Sequence, residues 1–281
     1  MIIIVAALTA TICFLVFKNT NAQISYPEKI TLPKIIVKEK QDIQLLFVGD
    51  LMFDRGIRYY ANLNGGNDYI FDKIHSTLLQ NDLVIANLEG PITDNKSISS
   101  GTIPGSTNNY YFTFDKSVAN TLFNQNIKLV NLGNNHILNF DYQGLKSTEE
   151  YLTKANVDYF GAPGSNNSSI QDISGVKVAF ISYDQFNLSQ PEEVIAKIAK
   201  LKLESDIVII FSHWGEEYQL TQSENQTELA HQFIDAGADL IIGSHPHVIQ
   251  PIEEYIGPDG FVDKYLWNQH LRLRWDSGET T

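Results

Sequence analysis

Cysteine, methionine and basic residues are all scarce in this sequence. Its 281 residues include one cysteine, two methionines, and 20 lysines and arginines against 33 aspartates and glutamates. A single cysteine rules out a disulfide framework. The formal net charge of −13 repels phosphate backbones, so we expect no nucleic-acid partner. An anionic substrate would need positive charge from metal ions or from a few well-placed arginines.

Charge is also absent from the opening segment. Residues 1–17 carry no charged side chain, and this run is shorter than the roughly 20 residues of a spanning helix. It is more typical of a secretory signal, and Thr20 and Ala22 are small residues at the positions that a signal peptidase reads. We predict a signal peptide over residues 1–22, followed by a polar linker over 23–42. The alternative is an uncleaved membrane anchor, since no lysine or arginine precedes the run. Either way, we expect an extracytoplasmic protein.

Apolar runs of strand length alternate with helical patterns from residue 43 onward. The strand-like runs are residues 45–48, 83–86, 129–132, 176–182, 207–211 and 240–242, and the helical patterns are residues 70–78, 115–125, 143–155, 191–203 and 223–236. Strands that alternate with helices indicate an α/β protein, and runs that are apolar throughout indicate strands covered on both faces. We place this domain at residues 43–262, with a loop-like excursion at 95–111 and an atypical tail at 263–281.

Polar residues follow five of the predicted strands. They are Asp50 after the first, Glu89 after the second, Asn135 and His136 after the third, His213 after the run at 207–211, and His245 and His247 after the run at 240–242. Functional sites in α/β folds gather beyond the carboxyl ends of strands, so we expect these side chains to share one cleft. Carboxylate, amide and imidazole ligands together suit Mn, Fe, Zn or Mg, which predicts a site for one or two divalent ions.

Each of these residues also has a structural interpretation. Asp50 could cap the next helix, Glu89 could be a solvated turn residue, and Asn135 could satisfy loop backbone groups. A lone histidine at a strand end is more often structural than a ligand, but His245 and His247 flank a rigid proline at one strand exit. Independent caps would not be expected at five strand ends, so the conjunction favours the metal site.

Five blocks in this order carry a family pattern. They are Phe47-Val48-Gly49-Asp50-Leu51-Met52 with Arg55, Asn87-Leu88-Glu89-Gly90-Pro91, Asn134-Asn135-His136, His213-Trp214-Gly215 with Glu217-Tyr218, and Gly243-Ser244-His245-Pro246-His247-Val248-Ile249-Gln250. They resemble the CapA family, which is linked to poly-γ-glutamate capsule synthesis in bacteria and belongs to the calcineurin-like metallophosphoesterase superfamily. The resemblance covers about residues 43–256 and implies a four-layer α/β/β/α sandwich.

The resemblance also implies a role for each site residue. Asp50 and His247 would bind one metal ion, Asn135, His213 and His245 would bind another, and Glu89 would stand where the superfamily has a bridging aspartate. His136 would act as general acid or electrophile at the leaving oxygen, and we expect its imidazole to titrate near neutral pH. Arg55 could clamp a carboxylate or a phosphate.

The sequence departs from the family pattern in several places. Met52 replaces a histidine of the superfamily, so the ion at Asp50 and His247 loses a ligand and should bind more weakly. Asn139 replaces an aspartate that the family usually has three residues after the His136 position, and Asp54 stands where the family often has glycine. The tail also lacks the family's Ser-Leu-Gly-Asn-Phe block, so we expect the last strands to be missing, through truncation or frameshift of the gene or through divergence.

Three functions remain open from the sequence. The first is an extracytoplasmic, metal-dependent hydrolase-type protein of capsule biosynthesis, acting on poly-γ-glutamate, a related anionic polymer or a phosphoester, in association with a membrane capsule-synthesis complex. The second is a non-catalytic accessory module that binds the polymer through its metal site. The third is a secreted nucleotidase or phosphodiesterase.

Overall fold

A computed structural model describes residues 42–103, 105–164, 167–187 and 189–257, with the backbone of residues 262–266 and 270–275. All of them lie in one compact unit, Glu39–Thr281. The predicted signal segment over residues 1–22 lies outside the described residues, as does nearly all of the linker at 23–42. Among the described residues, no helix has the length and apolar character needed to cross a bilayer.

Strands and helices alternate along the described chain, which confirms the α/β class. The strands are β1 Ile43–Leu51, β2 Leu83–Leu88, β3 Ile127–Asn131, β4 Asp158–Phe160, β5 Ser168–Ile173, β6 Val176–Asp184, β7 Ile207–His213, β8 Leu240–Ser244, β9 Ile252–Ile256, β10 Val262–Leu266 and β11 His270–Trp275. The α-helices are α1 Arg55–Leu63, α2 His75–Leu79, α3 Ser117–Asn124, α4 Asp141–Lys154, α5 Pro191–Leu201 and α6 Glu224–Asp235, with short 3₁₀ turns at Asn67–Phe71 and Thr107–Tyr110.

The strands form two sheets. One has the order β11-β1-β2-β3-β4, and the other has the order β5-β6-β7-β8-β10-β9. The inner strands β1, β2 and β3 run parallel, as do β6, β7 and β8, while β11 and β5 pair antiparallel at the edges. Parallel neighbours bring their carboxyl ends to the same edge of a sheet, and this edge is where the polar residues lie.

Alternation along each strand divides its apolar side chains between two sides. In β1, Ile43, Leu45 and Phe47 join an apolar cluster that also contains residues of β6, β7 and β8 from the second sheet. Leu46 instead joins a cluster that includes residues of α3 and α4. Phe47 contacts Phe180 across the middle cluster, with ring centroids 6.3 Å apart. Because side chains alternate between the two faces of a strand, β1 contacts the second sheet on one side and helices on the other.

The expectation that the final strands are missing is wrong. β10 pairs in parallel with β8, and β11 pairs antiparallel with β1 from His270 opposite Val48 to Trp275 opposite Ile43. The sequence signal of both strands is weak beside the continuous apolar runs of the central strands, because β11 alternates over only six positions and the five residues of β10 do not alternate at all. Helix α1 was also not predicted, because its only buried residue is Ala61.

Candidate metal centre

Asp50 lies at the end of β1, where the pairing with β2 slips by one residue after Val48. Its side chain is 4% exposed. The carboxylate accepts hydrogen bonds from Asn87 Nδ2 at 2.7 Å and from the backbone N–H of His245 at 3.1 Å, and it lies 3.3 Å from His247 Nδ1. Burial raises the pKa of Asp50, but the hydrogen bond from His247 and the charges of the neighbouring histidines outweigh it and lower the pKa to about 2. Asp50 is therefore an ionised carboxylate.

His213 is the last residue of β7 and is fully buried. Its Nδ1 lies 2.9 Å from Ser244 Oγ, and its Nε2 lies 2.9 Å from Asn135 Oδ1 and 3.7 Å from Glu89 Oε1. Burial lowers the pKa of His213 to about 3, against the opposing pull of Asp50. The ring is consequently neutral, which is the form of histidine that binds metals.

Glu89 follows β2 and is 3% exposed. Within the described chain, no hydrogen bond reaches its carboxylate, and the imidazole of His213 is a near neighbour at 3.7 Å. Burial and the carboxylates of Asp50 and Glu217 raise the pKa of Glu89 well above its usual range, and Arg55 opposes them. A largely buried carboxylate that accepts no hydrogen bond from the protein is stabilised by a neighbouring cation.

His245 and His247 project from the turn that follows β8. Both have a positive φ, 95° and 56°, which is a strained conformation for residues other than glycine and clusters at functional sites. His245 Nδ1 is buried and has no hydrogen-bond partner among the described residues. Burial lowers the pKa of His245, whereas the hydrogen bond to Asp50 raises the pKa of His247.

Two overlapping groups of side chains could hold a metal ion. In Glu89, His213 and His245, and likewise in Asp50, Glu89 and His247, one ligand atom from each residue lies within 4.8 Å of the others. Glu89 belongs to both groups. The structure therefore brings together the six residues Asp50, Glu89, Asn135, His213, His245 and His247, with Asn135 joined through His213.

Two buried groups at this centre favour the binding of a divalent ion. The Glu89 carboxylate accepts no hydrogen bond from the described residues and its pKa is raised by burial, and the Nδ1 atom of His245 is buried without a partner among them. An ion coordinated by these atoms would satisfy both at once. Carboxylate oxygen and imidazole nitrogen are also the donor types that Zn, Mn and Fe take. The residues present thus fit a divalent ion.

His136 lies beside this centre and is oriented by Asn139. The Oδ1 atom of Asn139 accepts the backbone N–H of Phe112 at 2.7 Å, so the same oxygen, 3.2 Å from His136 Nδ1, must accept a proton there too. This bond assigns the neutral ring a proton on Nδ1 and a lone pair on Nε2. Burial lowers the pKa of His136 to about 4, although the Asn139 bond opposes it. The expectation of titration near neutral pH is therefore wrong.

Arg55 begins α1 with a positive φ of 53°, which is again strained. Its Nε donates to the Asn109 carbonyl at 2.6 Å. Its guanidinium carbon lies 5.2 Å from the Tyr110 ring centroid and 4.4 Å from that of Phe112. The charge of Arg55 also acts on the pKa values of Glu89 and His136, so the guanidinium lies within electrostatic reach of the centre.

The sequence patterns did not assign a role to two asparagines that support the site. Asn87 donates to Asp50 and lies 3.2 Å from His213 Nδ1. Asn134 donates to Asn87 Oδ1 at 3.1 Å and to the Leu88 carbonyl at 2.9 Å, and its own Oδ1 accepts the His136 backbone N–H at 3.1 Å. Both residues lie inside the quoted blocks, but nothing in a block distinguishes a supporting amide from a ligand.

Comparisons with known proteins agree with these blocks. Residues 44–265 match the family model described as bacterial capsule synthesis protein PGA_cap. The PGA biosynthesis protein CapA of Bacillus subtilis is 30% identical over 248 residues, which cover 82% of this chain and 64% of the relative. The capsule biosynthesis protein CapA of Bacillus anthracis is 30% identical over 243 residues, which cover 78% of this chain and 57% of the relative. A probable polyglutamine synthesis accessory protein of Mycobacterium tuberculosis is 28% identical over 155 residues, covering 45% of this chain and 41% of the relative. This chain thus spans less than two thirds of the length of either Bacillus relative.

Proposed function

The chain belongs to the PGA_cap family of bacterial capsule synthesis proteins, and we propose that it is an extracytoplasmic, metal-dependent hydrolase or transferase of capsule-polymer biosynthesis. Its substrate would be an anionic polymer such as poly-γ-glutamate, or a phosphoester on the route to one, handled beside a membrane capsule-synthesis complex. The names of the Bacillus relatives support the polymer, and the apolar segment at residues 1–17 supports the location.

The environment of Glu89 carries the metal-dependent part of this proposal. Its carboxylate is buried, lacks hydrogen-bond donors in the described chain and belongs to both potential ligand groups. The Asp50 side chain is equally buried, but its carboxylate accepts hydrogen bonds from Asn87 and from the backbone N–H of His245. A protein that compensates one buried carboxylate and leaves its neighbour uncompensated has the arrangement expected where a cation completes the site.

The centre would combine binding, orientation and proton handling. A divalent ion held by Glu89 with His213 and His245, or by Glu89 with Asp50 and His247, would supply Lewis-acid activation of the phosphoryl or acyl group and of water. Arg55 would bind an anionic oxygen of the substrate, because its guanidinium lies within electrostatic reach of Glu89 and His136. His136 presents the Nε2 lone pair at neutral pH, so it would accept a proton first. It could return that proton once substrate anions have stabilised the imidazolium.

The layering of the fold is also proposed. We infer that the two sheets pack face to face with helices on their outer faces, in the order α/β/β/α of metallophosphoesterases. The middle apolar cluster draws on both sheets, and two further clusters include helix residues on each side. This arrangement supports a common carboxyl edge on which both sheets contribute ligands.

One observation favours a second candidate, a polymer-binding module without turnover. Met52 packs against the apolar cluster beside α3 and α4 instead of supplying a ligand. The Asp50 and His247 position therefore has fewer protein ligands, and one weakly held ion would leave a binding site rather than a catalytic one. Under this alternative, Arg55 and the remaining ion would bind polymer carboxylates.

Metal analysis combined with turnover tests the proposal. We expect purified protein to bind Mn, Zn or Fe, and to hydrolyse a phosphoester or γ-glutamyl substrate in a metal-dependent way. Glu89→Gln keeps the shape of the side chain and should abolish both properties, whereas Glu228→Gln, at an exposed position of α6, should keep them. Metal binding without turnover on either substrate class would support the binding module. Failure of the folded wild-type protein to bind any of the three metals would refute the proposal.

A further inference from the structure

A cavity of about 640 Å³ opens beside the loop that follows β7. It is lined by five carboxamide side chains, which we call the carboxamide cavity: Gln185, Gln219, Gln222, Asn225 and Gln226. Trp214 and Tyr183 also line it, and both are buried, with ring centroids 5.8 Å apart. None of the metal ligands lines this cavity. Its volume is in the range of small-molecule sites.

The orientation of one carboxamide is determined by the start of α6. The Oε1 atom of Gln226 accepts the backbone N–H of Ser223 at 3.1 Å, so oxygen and nitrogen cannot be exchanged without losing this cap. The Nε2 donor is therefore directed away from the cap. The residue is 7% exposed, and Nε2 has no partner within the described chain. A buried donor without a partner is costly, by about 1–3 kcal/mol, and needs an explanation.

The neighbouring groups add further uncommitted hydrogen-bonding capacity. Gln222 Oε1 is a buried acceptor that likewise has no partner among the described residues. Gln219 and Asn225 form no side-chain hydrogen bond in the part of the chain that the structure describes. Gly215 has a φ of +88°, and a Cβ there would lie 2.6 Å from Gln226 Nε2. Glycine is thus required for the loop to approach this carboxamide.

The charge of the lining restricts the class of ligand. No described residue that lines the cavity is a lysine, arginine or histidine, and Glu216 contributes a carboxylate. Carboxylate or phosphate ligands would meet no compensating charge, in a protein whose net charge is −13. The carboxamides of Gln219 and Asn225 each offer both donors and an acceptor, which matches a hydroxyl group in both roles. Neighbouring hydroxyls, one on nearly every carbon, occur on sugars, whereas a peptide offers one amide per residue.

We propose that the carboxamide cavity binds an uncharged saccharide. One short segment of the chain contacts both the cavity and the metal centre. Gln185 lines the cavity, while the next residue, Phe186, has its ring 4.5 Å from that of His245. A bound glycan would therefore hold the protein on a carbohydrate surface with the metal centre close by. This inference goes beyond the proposed function and does not require a bound metal.

Calorimetric titration with neutral trisaccharides tests this site. The probes are maltotriose, cellotriose and N,N′,N″-triacetylchitotriose, and the comparison ligands are N-acetyl-trialanine amide and the γ-glutamyl trimer. At least one trisaccharide should bind with a dissociation constant of about 10 mM or below. The double variant with Gln219→Ala and Asn225→Ala should weaken it about tenfold, since each lost hydrogen bond is worth roughly 0.5–1.5 kcal/mol.

Two controls separate this site from the metal centre and from unfolding. Gln232→Ala removes an exposed carboxamide from the same helix outside the cavity, and it should leave the affinity unchanged. Glu89→Gln with chelator should also leave it unchanged, even where metal binding is lost. The proposal is overturned if no trisaccharide binds, if the double variant binds as wild type does, or if the peptide or γ-glutamyl trimer binds more tightly than every sugar.

Discussion

At the residue scale, the site contrasts compensated and uncompensated buried charge. Asp54 is fully buried, accepts hydrogen bonds from Ser97 Oγ at 2.5 Å and from the Thr113 backbone at 2.9 Å, and pairs with Arg58. Asp50 is similarly supplied with donors. Glu89 is not, and its ionised form is therefore disfavoured in the metal-free protein.

Glu89→Gln should accordingly stabilise the metal-free protein at about pH 7 while destabilising it in the presence of metal. The pKa of Glu89 in the folded protein lies above its usual value of 4.5. The protonated carboxyl group therefore contributes fully to stability below pH 4.5, and this contribution is lost as the pH rises through the folded pKa. The melting temperature of the variant in chelator should therefore exceed that of wild type by an amount that grows from about pH 5 to about pH 7.

The same two proteins with added Mn or Zn provide the reverse test. A ligand at a hundred times its dissociation constant stabilises by about 2.7 kcal/mol, and the variant should forfeit most of this gain. Glu228→Gln should behave as wild type in both conditions, since that carboxylate is exposed. A metal-free variant that melts below wild type at both pH values would contradict our account of Glu89.

Asn139 sets the tautomer of His136, while burial is the main cause of its lowered pKa. Asn139→Asp keeps an oxygen for the Phe112 N–H and for His136 Nδ1 but adds a negative charge beside the ring. An opposite charge in contact raises a histidine pKa by about 1–3 units, so we expect the pKa of His136 to rise from about 4 toward neutrality. Imidazole proton shifts followed against pH by NMR measure this directly.

The role of His136 as a proton carrier is tested with the same variant. If turnover is limited by donation from His136, then Asn139→Asp should preserve or raise it, while His136→Gln should lower it about 10²-fold with metal content intact. Asn95→Asp adds the same charge on an exposed loop and should leave the pKa of His136 unchanged. An unchanged pKa in Asn139→Asp would show that the ring is governed by other neighbours.

At the element scale, the excursion at residues 95–111 forms part of the site instead of being only a surface loop. It is attached to the start of α1 through Ser97, which donates to Asp54, and through the Asn109 carbonyl, which accepts from Arg55. Tyr110, at its end, stacks on the Arg55 guanidinium. The candidate substrate-binding arginine is therefore held by a segment more than 50 residues away in the chain.

Tyr110→Ala should weaken the binding of inorganic phosphate to the metal-loaded protein about two- to fivefold, which corresponds to one exposed cation–π contact of about 0.5–1 kcal/mol. The melting temperature should change little, because Tyr110 is 50% exposed. Tyr59→Ala is a matched control, since Tyr59 lies on α1 and is 55% exposed. Equal phosphate affinity in both variants would mean that Tyr110 does not orient Arg55.

At the scale of the whole molecule, β11 closes an edge that the sequence predicted to be open. It pairs with β1, the strand that delivers Asp50 to the metal centre. Without β11, the backbone groups of β1 from Ile43 to Val48 would face no partner on that side. An uncovered edge of this kind lowers stability and templates pairing with other chains.

Deletion of residues 267–281 should therefore lower the melting temperature and cause aggregation that grows with protein concentration. Deletion of residues 276–281 retains β11 and serves as the control. Light scattering during thermal unfolding reports both quantities on the same sample. A monodisperse protein of unchanged melting temperature after the longer deletion would contradict the contribution of β11.

Much of the fold and of the site could be predicted from the sequence, because some signals are local. Continuous apolar runs at the central strands predicted the α/β class, and polar residues at their ends predicted one cluster. The block pattern predicted the CapA family, which the comparisons confirm. The edge strands β4, β5 and β9 were missed, since they are short or alternate with exposed residues and resemble loops.

Only the tertiary structure decided the chemical state of the site. The spacing of residues along the chain placed Asp50 and His245 at strand ends. It could not show that the backbone N–H of His245 donates to the Asp50 carboxylate at 3.1 Å, across a separation of 195 residues. It could not show that Glu89 lacks donors, that Asn139 turns the His136 ring, or that burial lowers the pKa of His136 to about 4. A strand's period depends on neighbouring residues, whereas desolvation and hydrogen bonding depend on whichever distant segments the fold packs against a side chain.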